Sequence, residues 1–490
     1  MSENINIKSD VISGLAHGQA VVEARQTVDG ECRILSVSAS AVTVPGEVFT
    51  GEARYTGKVV FDCLAAIDDK VECISVVSEF SDKITSPSIV AGMNVTLLPE
   101  VINAEANNDG GAIKMVAVVD TALLAVLSRE ETGIATTDDG IYAETQPVET
   151  CMLRAEQSET VYLSDSVPCK AGEVLFATSK VVVSSTEASD GAIKVSGAVY
   201  TNVIVRGDDG MIGTERVVTP FVKDIAALGV ASGNVAFAFA YVDSCSATPI
   251  AGENRLEIAV TLGMTALAVE CAATQAVTDV FCADNELEVK TALADCCTVE
   301  PPVTVTDTVD GQVSIGADRL AADTVLCVTG TFCTLSAAEI TDGRVTVEGL
   351  VGGDIVYYNA EKNAADMLAF RLPFALPLSG HTDAASVAAT ATVTDVAVRV
   401  RRESVFDIKA EVAFCLRLSS QKTVNLVTEV QLGEPIPRPD ASIIVHIAKP
   451  GETLWQAAKA LCCSPERVAA QNSAKSPYAG GERLINFCNK

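Results

Sequence analysis

Long apolar runs are missing: no stretch of about 18 or more apolar residues occurs, which excludes a membrane-spanning helix and predicts no membrane insertion. The first residues, Met-Ser-Glu-Asn-Ile-Asn-Ile-Lys, lack a basic segment followed by an apolar one, so no secretory signal is expected and the cytoplasm is the expected compartment. Histidine is scarce (His17, His381 and His446), and the 16 cysteines form no C-x-x-C, so neither a metal site nor a cofactor is expected. The cysteines are scattered, with adjacent pairs only at Cys296-Cys297 and Cys462-Cys463. They read as reduced thiols used as small buried hydrophobes. Positive charge is in deficit: 35 Lys and Arg face 64 Asp and Glu, a net −29 that argues against a nucleic-acid partner. There is no G-x-S-x-G, no Walker loop and no Cys–His pairing supported by its context, so the chain does not read as an enzyme. Paired carboxylates at Asp68-Asp69 and Asp208-Asp209 read as exposed hairpin turns rather than acid–base pairs.

What the chain does have is valine, alanine, threonine and serine in alternating order, with only 5% aromatic residues. That mixture favours strands. One pattern recurs three times. Residues 194–205 alternate apolar and polar after an Asp190-Gly191 turn, residues 345–357 do so after Asp342-Gly343, and residues 48–60 follow Pro45-Gly46 more loosely. Asp-Gly suits the positive φ of a type I′ hairpin turn. Glycines at 51, 197 and 349 fall in register at separations of 146 and 152 and suggest a bulge or close backbone approach. Pro220-Phe221 and Pro373-Phe374 keep the period, with Glu79-Phe80 as the degenerate counterpart. Each copy closes on a long alternating stretch, at 114–126, 256–269 and 406–418.

Helical periodicity is limited in the body to a weak candidate over 360–367. The expected fold class is mostly β: three tandem all-β domains, closed or sandwiched, over 17–145, 155–275 and 280–432. Polar residues 145–149 and the Glu300-Pro301-Pro302 stretch mark junctions. Alternate prolines over 433–441 predict a semi-rigid polyproline linker that spaces the last unit from the body. Arg399, Arg401 and Arg402 read as a solvated strand edge.

The last unit, 443–488, reads as strand–helix–helix–strand. Residues 441–490 hold six Lys and Arg against three Glu, so a basic unit of +3 follows a body of −32. Val445 and Ile447 alternate, Pro450-Gly451 turns the chain, and Thr453 is placed to cap a helix starting at Leu454. Ser464-Pro465-Glu466 starts a second helix and Asn472 stops it.

The block Lys449-Pro450-Gly451-Glu452-Thr453-Leu454-Trp455, the later Asn472, and Gly481-Glu482-Arg483-Leu484-Ile485 resemble a LysM domain, a small α+β (βααβ) fold. The end departs from the family pattern, with Asn486-Phe487 where an apolar-Pro pair is usual. The resemblance implies binding of N-acetylglucosamine polymers such as peptidoglycan, or its precursor, between two loops. These are Gly451, Glu452, Thr453 and Leu454 on one side and Asn472, Ser473, Pro477 and Tyr478 on the other. The plainer alternative is that Thr453 is a cap, Asn472 a helix stop and Trp455 core.

Tandem acidic β copies ahead of one LysM are similar to spore-coat morphogenetic proteins of the SipL and SpoVID type, whose repeat is the SPOCS domain. That resemblance implies a scaffold in the mother-cell cytoplasm at the forespore surface. Its partners would be coat proteins and the SpoIVA-type basement-layer ATPase. The rival reading is a peptidoglycan-binding, wall-associated adhesin.

Overall fold

In the computed structural model the described residues are 4–67, 70–169, 171–207, 210–250, 252–317, 319–402, 404–437, 443–473 and 475–487. The acidic pairs at 68–69 and 208–209, and linker residues 438–441, lie outside them. The body is built of antiparallel strands in a plan used three times. The first copy comprises β1 (Asn4–Thr27), β2 (Cys32–Phe49), β3 (Glu52–Ile67), β4 (Lys70–Thr85), β5 (Val95–Asn108) and β6 (Ala112–Ile134). The second comprises β7 (Ile141–Pro168), β8 (Ala171–Ser189), β9 (Ala192–Gly207), β10 (Ile212–Ala226), β11 (Val235–Pro249) and β12 (Arg255–Cys282). In the third, the opening strand is split into β13 (Asn285–Val299) and β14 (Val303–Ser314). It continues with β15 (Thr324–Thr341), β16 (Arg344–Asn359), β17 (Ala364–Pro377), β18 (Ser386–Arg401) and β19 (Val405–Pro435).

In each copy the last strand pairs with the first and the fifth, while strands two to four form a separate meander. The two sheets face each other over an apolar core. Phe61, Ile113 and Met115 fill it in the first copy, Ile193, Val199 and Leu262 in the second, and Val347, Phe406 and Phe414 in the third. All seven inward residues of the alternation at 406–418 are buried, and each large side chain contributes about 1.5–3 kcal/mol by leaving water.

A glycine and a phenylalanine pair across the meander in every copy: Gly57 with Phe80, Gly197 with Phe221, and Gly349 with Phe374. The ring lies over the glycine, and a Cβ there would come within 2.6, 2.7 and 2.8 Å of it respectively. This corrects the register expected for the first copy. Gly57, not Gly51, matches Gly197 and Gly349; Gly51 lies in the β2–β3 turn with φ +84°. Pro45-Gly46 is a bulge within β2, and that strand turns only after Phe49. Of the two Asp-Gly turns, Asp342-Gly343 has positive φ at both residues, whereas at the other only Gly191 does. The helical reading of 360–367 also fails. Residues 360–363 form a turn, with Asn363 left-handed, and β17 starts at Ala364.

The first and last strands of each copy run on beyond the sandwich as a two-stranded ribbon. A lone ribbon is marginally stable in water, and here three pack together. Ile7, Val148, Ala276, Ala294, Cys296, Val424 and Leu426 form one cluster from β1, β7, β12, β13 and β19, and Ile134, Val277, Val280 and Val427 form another. Asp10 ties copies together, accepting from Ser128 Oγ and from Leu153 N. Residues 145–149 are therefore not a polar junction: they lie within β7, paired with β12, and Val148 is fully buried.

The cysteine expectation is corrected for one pair, at the same level of the ribbon. Cys151 and Cys271, direct partners in the β7–β12 ladder, are joined in a disulfide. Cys63, Cys327 and Cys333 are buried thiols, each pushed up to about 12 by burial.

The sandwiches close a ring. Strand four of each copy meets strand two of the next (β4 with β8, β10 with β15, β17 with β2), and strand five meets strand two of the copy before (β11 with β2, β18 with β8, β5 with β15). The contacts repeat cyclically, as expected of a threefold arrangement made within one chain. Gly349→Val would set a Cβ 2.3 Å from the Thr334 carbonyl oxygen as well as 2.8 Å from the Phe374 ring, and should destabilise the fold by about 2 kcal/mol. A thermal melt of the variant with an unchanged midpoint would show that the β15 backbone and the ring both have room to move.

Candidate functional site

The terminal unit consists of β20 (Ile443–Ile447), α1 (Leu454–Ala460), α2 (Pro465–Gln471) and β21 (Arg483–Phe487), with β20 and β21 antiparallel. Thr453 caps α1 in a reciprocal box: its Oγ1 accepts from Gln456 N at 3.2 Å, and Gln456 Oε1 accepts from Thr453 N at 2.9 Å. Ser464 Oγ accepts from Arg467 N, with Pro465 in the first helical turn. Ala457, Ala458, Leu461, Val468, Tyr478 and Leu484 form the core.

The two loops expected to flank a groove are joined by their backbones. Gly451 N donates to Tyr478 O at 2.8 Å, Tyr478 N donates to Glu452 O at 2.9 Å, and Leu454 N donates to Ser476 Oγ at 2.9 Å. Within them, the sequence-chosen residues divide into two groups. Gly451, Thr453, Ser473 and Pro477 are exposed, and Leu454 is half-buried. Glu452, Asn472 and Tyr478 are engaged inside the unit. Glu452 accepts from Lys449 N at 2.6 Å and pairs with His446 Nε2 at 2.7 Å. The Lys449 amide, with His446, holds the Glu452 carboxyl below its ordinary value. Asn472 donates to Val468 O and Ile485 O and accepts from Ile485 N, binding α2 to β21. Tyr478 is 2% exposed, so its ring is core rather than a sugar-stacking face.

Trp455 has a role beyond the unit's own core. Its ring packs edge-on against Phe281 with centroids 4.9 Å apart, and Tyr142 packs on the other side of Phe281 at 5.0 Å. Trp455 Nε1 donates to Asp279 Oδ2 at 2.8 Å, and Lys459 Nζ, one helical turn on, donates to the same carboxylate. Asp279, Phe281 and Tyr142 belong to the ends of β12 and β7. The unit is thus seated on the second ribbon rather than held away by a spacer. Residues 434–435 of the expected linker belong to β19, and Ile436 N donates to Asp284 O.

A second feature escaped the sequence reading. The second and fifth strands of the three copies surround a central cavity of about 960 Å³. Asp62, Asn202 and Asp354 line it, each five residues after the glycine of its copy (57, 197 and 349). A polar residue breaking an apolar strand at the same place three times was the available signal.

Lys180 Nζ reaches across from the second copy to Thr331 O at 2.6 Å and Thr331 Oγ1 at 3.1 Å in the third. Thr329 Oγ1 donates to Ser36 Oγ at 2.9 Å, linking the third copy to the first. Burial raises Glu100 to about 7 and Asp354 to about 6, and lowers Lys180 to about 8. Both Glu100 and Lys180 line the cavity, Glu100 exposed to its space and Lys180 half-buried, and desolvation by the surrounding walls is the main cause of both shifts.

No family model, curated protein or solved structure matches the chain.

Two outcomes follow. Burial raises the Asp279 carboxyl, but the bonds from Lys459 and Trp455 outweigh it and hold the group below its ordinary value. The seating should therefore persist at neutral pH and weaken as pH falls below about 4, while Asp279→Ala should cost about 1 kcal/mol at pH 7. Hydrogen exchange of α1 amides checks both; equal protection in parent and variant would rule the contact out. Glu100 shifts the opposite way: its ionisation penalty is absent at low pH and grows as pH rises towards 7. Glu100→Gln should raise the melting temperature at about pH 8 and leave it unchanged at about pH 4. An equal shift at both pH values would contradict that.

Proposed function

We propose that the chain is a non-enzymatic scaffold of endospore coat or envelope assembly. In this reading the body consists of three SPOCS-like domains, and the terminal unit is a LysM-type module that docks the scaffold at the forespore surface, in the mother-cell cytoplasm. The observation that carries the proposal is the seating of the module. Trp455 and Lys459 are spent on Asp279 of the body, while Gly451, Thr453, Ser473 and Pro477 stay on the surface. A module anchored by one face with its loops exposed suits a fixed docking end. The body's −32 against the module's +3 suits different partners at the two ends, since charge steers association. The coat-type resemblance of the repeat and of the Lys449 to Trp455 block points to coat proteins for the body and to the basement-layer ATPase for the module.

The second reading, a wall-associated adhesin that holds N-acetylglucosamine polymers, draws on the Cys151–Cys271 disulfide, a bond more common in oxidising compartments. It must also accommodate the buried thiols at 63, 327 and 333.

A pull-down from sporulating cells separates these readings. Full-length protein should retain the ATPase, and a version ending at Pro439 should lose it while keeping coat proteins. Equal retention by both would place that contact in the body and overturn the docking role. Co-sedimentation of the full chain with insoluble peptidoglycan, together with recovery outside vegetative cells, would favour the adhesin.

A further inference from the structure

The central cavity holds charge that the fold does not use. Arg417 of β19 lines it at the level where β13 gives way to β14, between the partners of Val299 and Val303. Its guanidinium lies over the Phe239 ring of the second copy, 5.0 Å from the centroid. Arg417 Nη1 is shielded from solvent and has no hydrogen-bond partner. A shielded guanidinium N–H left unanswered is costly, and the rest of the half-buried Arg417 side chain lines the cavity, where it makes no ion pair among the described residues. Lys180, from β8, is a second, half-buried cation of the lining. Among the described residues it bonds Thr331, which leaves at least one of its three N–H donors unused, and Glu100 is its charged neighbour but lies beyond ion-pair distance.

The cavity's acids are differently placed. Asp62 accepts from Ser75 Oγ, and Asp354 has Arg371 as its charged neighbour. Glu100, raised to about 7, is partly protonated at neutral pH and can itself donate. Asp120 pairs with His17 at 3.0 Å, and Asp243 is a further acid of the lining, while Arg417 Nη1 is left without a partner among the described residues. Apolar surface is supplied by Phe237, Phe239 and Phe332. The volume lies within the range of small-molecule sites, roughly 300–1,000 Å³.

We propose that the central cavity binds a small organic anion with an apolar body, its charged group held by Arg417 and Lys180 and its body resting against the Phe239 side. All three copies contribute to the walls, so the site exists only in the closed ring. It is separate from the terminal module and independent of the scaffold reading.

The test uses the full chain and 8-anilinonaphthalene-1-sulfonate, an aromatic sulfonate whose fluorescence rises in apolar surroundings. Titration should give one site per chain. Arg417→Met should weaken binding by about tenfold, and Lys180→Met by a smaller factor, each being the loss of one charge-assisted contact. The neutral analogue N-phenyl-1-naphthylamine should bind parent and variants alike. Absence of a stoichiometric site would overturn the proposal, as would equal affinity in parent and both variants. A parallel loss of the neutral probe would also overturn it, by showing that packing rather than charge was removed. Should Arg417→Met fail to fold, Lys180→Met decides alone, with unchanged binding of the neutral probe showing that the cavity survives the loss of the Thr331 contacts.

Discussion

Everything in the body depends on the meeting of three two-stranded ribbons. None of the pairs β1–β6, β7–β12 or β13–β19 has, in its outer half, a second sheet of its own copy to lie against. Each would be marginal alone. Their shared core is made mainly of small and branched side chains, Ala276, Ala294, Val148, Val424 and Leu426, which allow the backbones to approach. Once the ribbons are joined, the sandwiches at their inner ends are held side by side. The cyclic contacts between second, fourth and fifth strands follow from that one constraint.

The same constraint settles what happens to sheet edges. Strands two and five of each copy end their respective sheets, and exposed edges of that kind invite pairing with other chains. Here they turn towards a common axis, where Lys180 reaches Thr331 and Thr329 reaches Ser36 across copy boundaries. Side chains that would be solvated on an isolated sandwich become the walls of a shared central cavity. Their ionisation shifts accordingly. Lys180 and Glu100 are unremarkable residues in sequence, and their shifts, like that of Asp354, come from the desolvation that the assembled walls impose.

The terminal unit shows how one motif divides its labour. Within the Lys449 to Trp455 block, Glu452 braces the turn, Thr453 caps α1, and Trp455 anchors the unit to Asp279 and Phe281. Asn472 and Tyr478 hold the second loop from inside. What remains outward is backbone and small polar surface around Gly451, Thr453, Ser473 and Pro477. A partner meeting this unit meets a rigid pair of loops rather than a set of reaching side chains.

Local chemistry was readable along the chain. The alternation at 406–418, the Asp342-Gly343 turn, the Thr453 and Ser464 caps and the proximity of Phe80, Phe221 and Phe374 to a period all follow from neighbours a few residues apart. Such features are decided by backbone sterics and short-range hydrogen bonds, which sequence order displays directly. The first copy's glycine was misplaced because only its partner across the ladder, Phe80, tells Gly57 from Gly51. The stretch at 145–149 looked like a junction because its polar residues hide the buried Val148. The Cys151–Cys271 bond, the seat of Trp455 on Asp279 and the cavity around Arg417 and Lys180 join residues more than 100 positions apart. Those were decided only when three marginal ribbons found one another, because the apolar surface each leaves exposed is satisfied by no segment of its own copy.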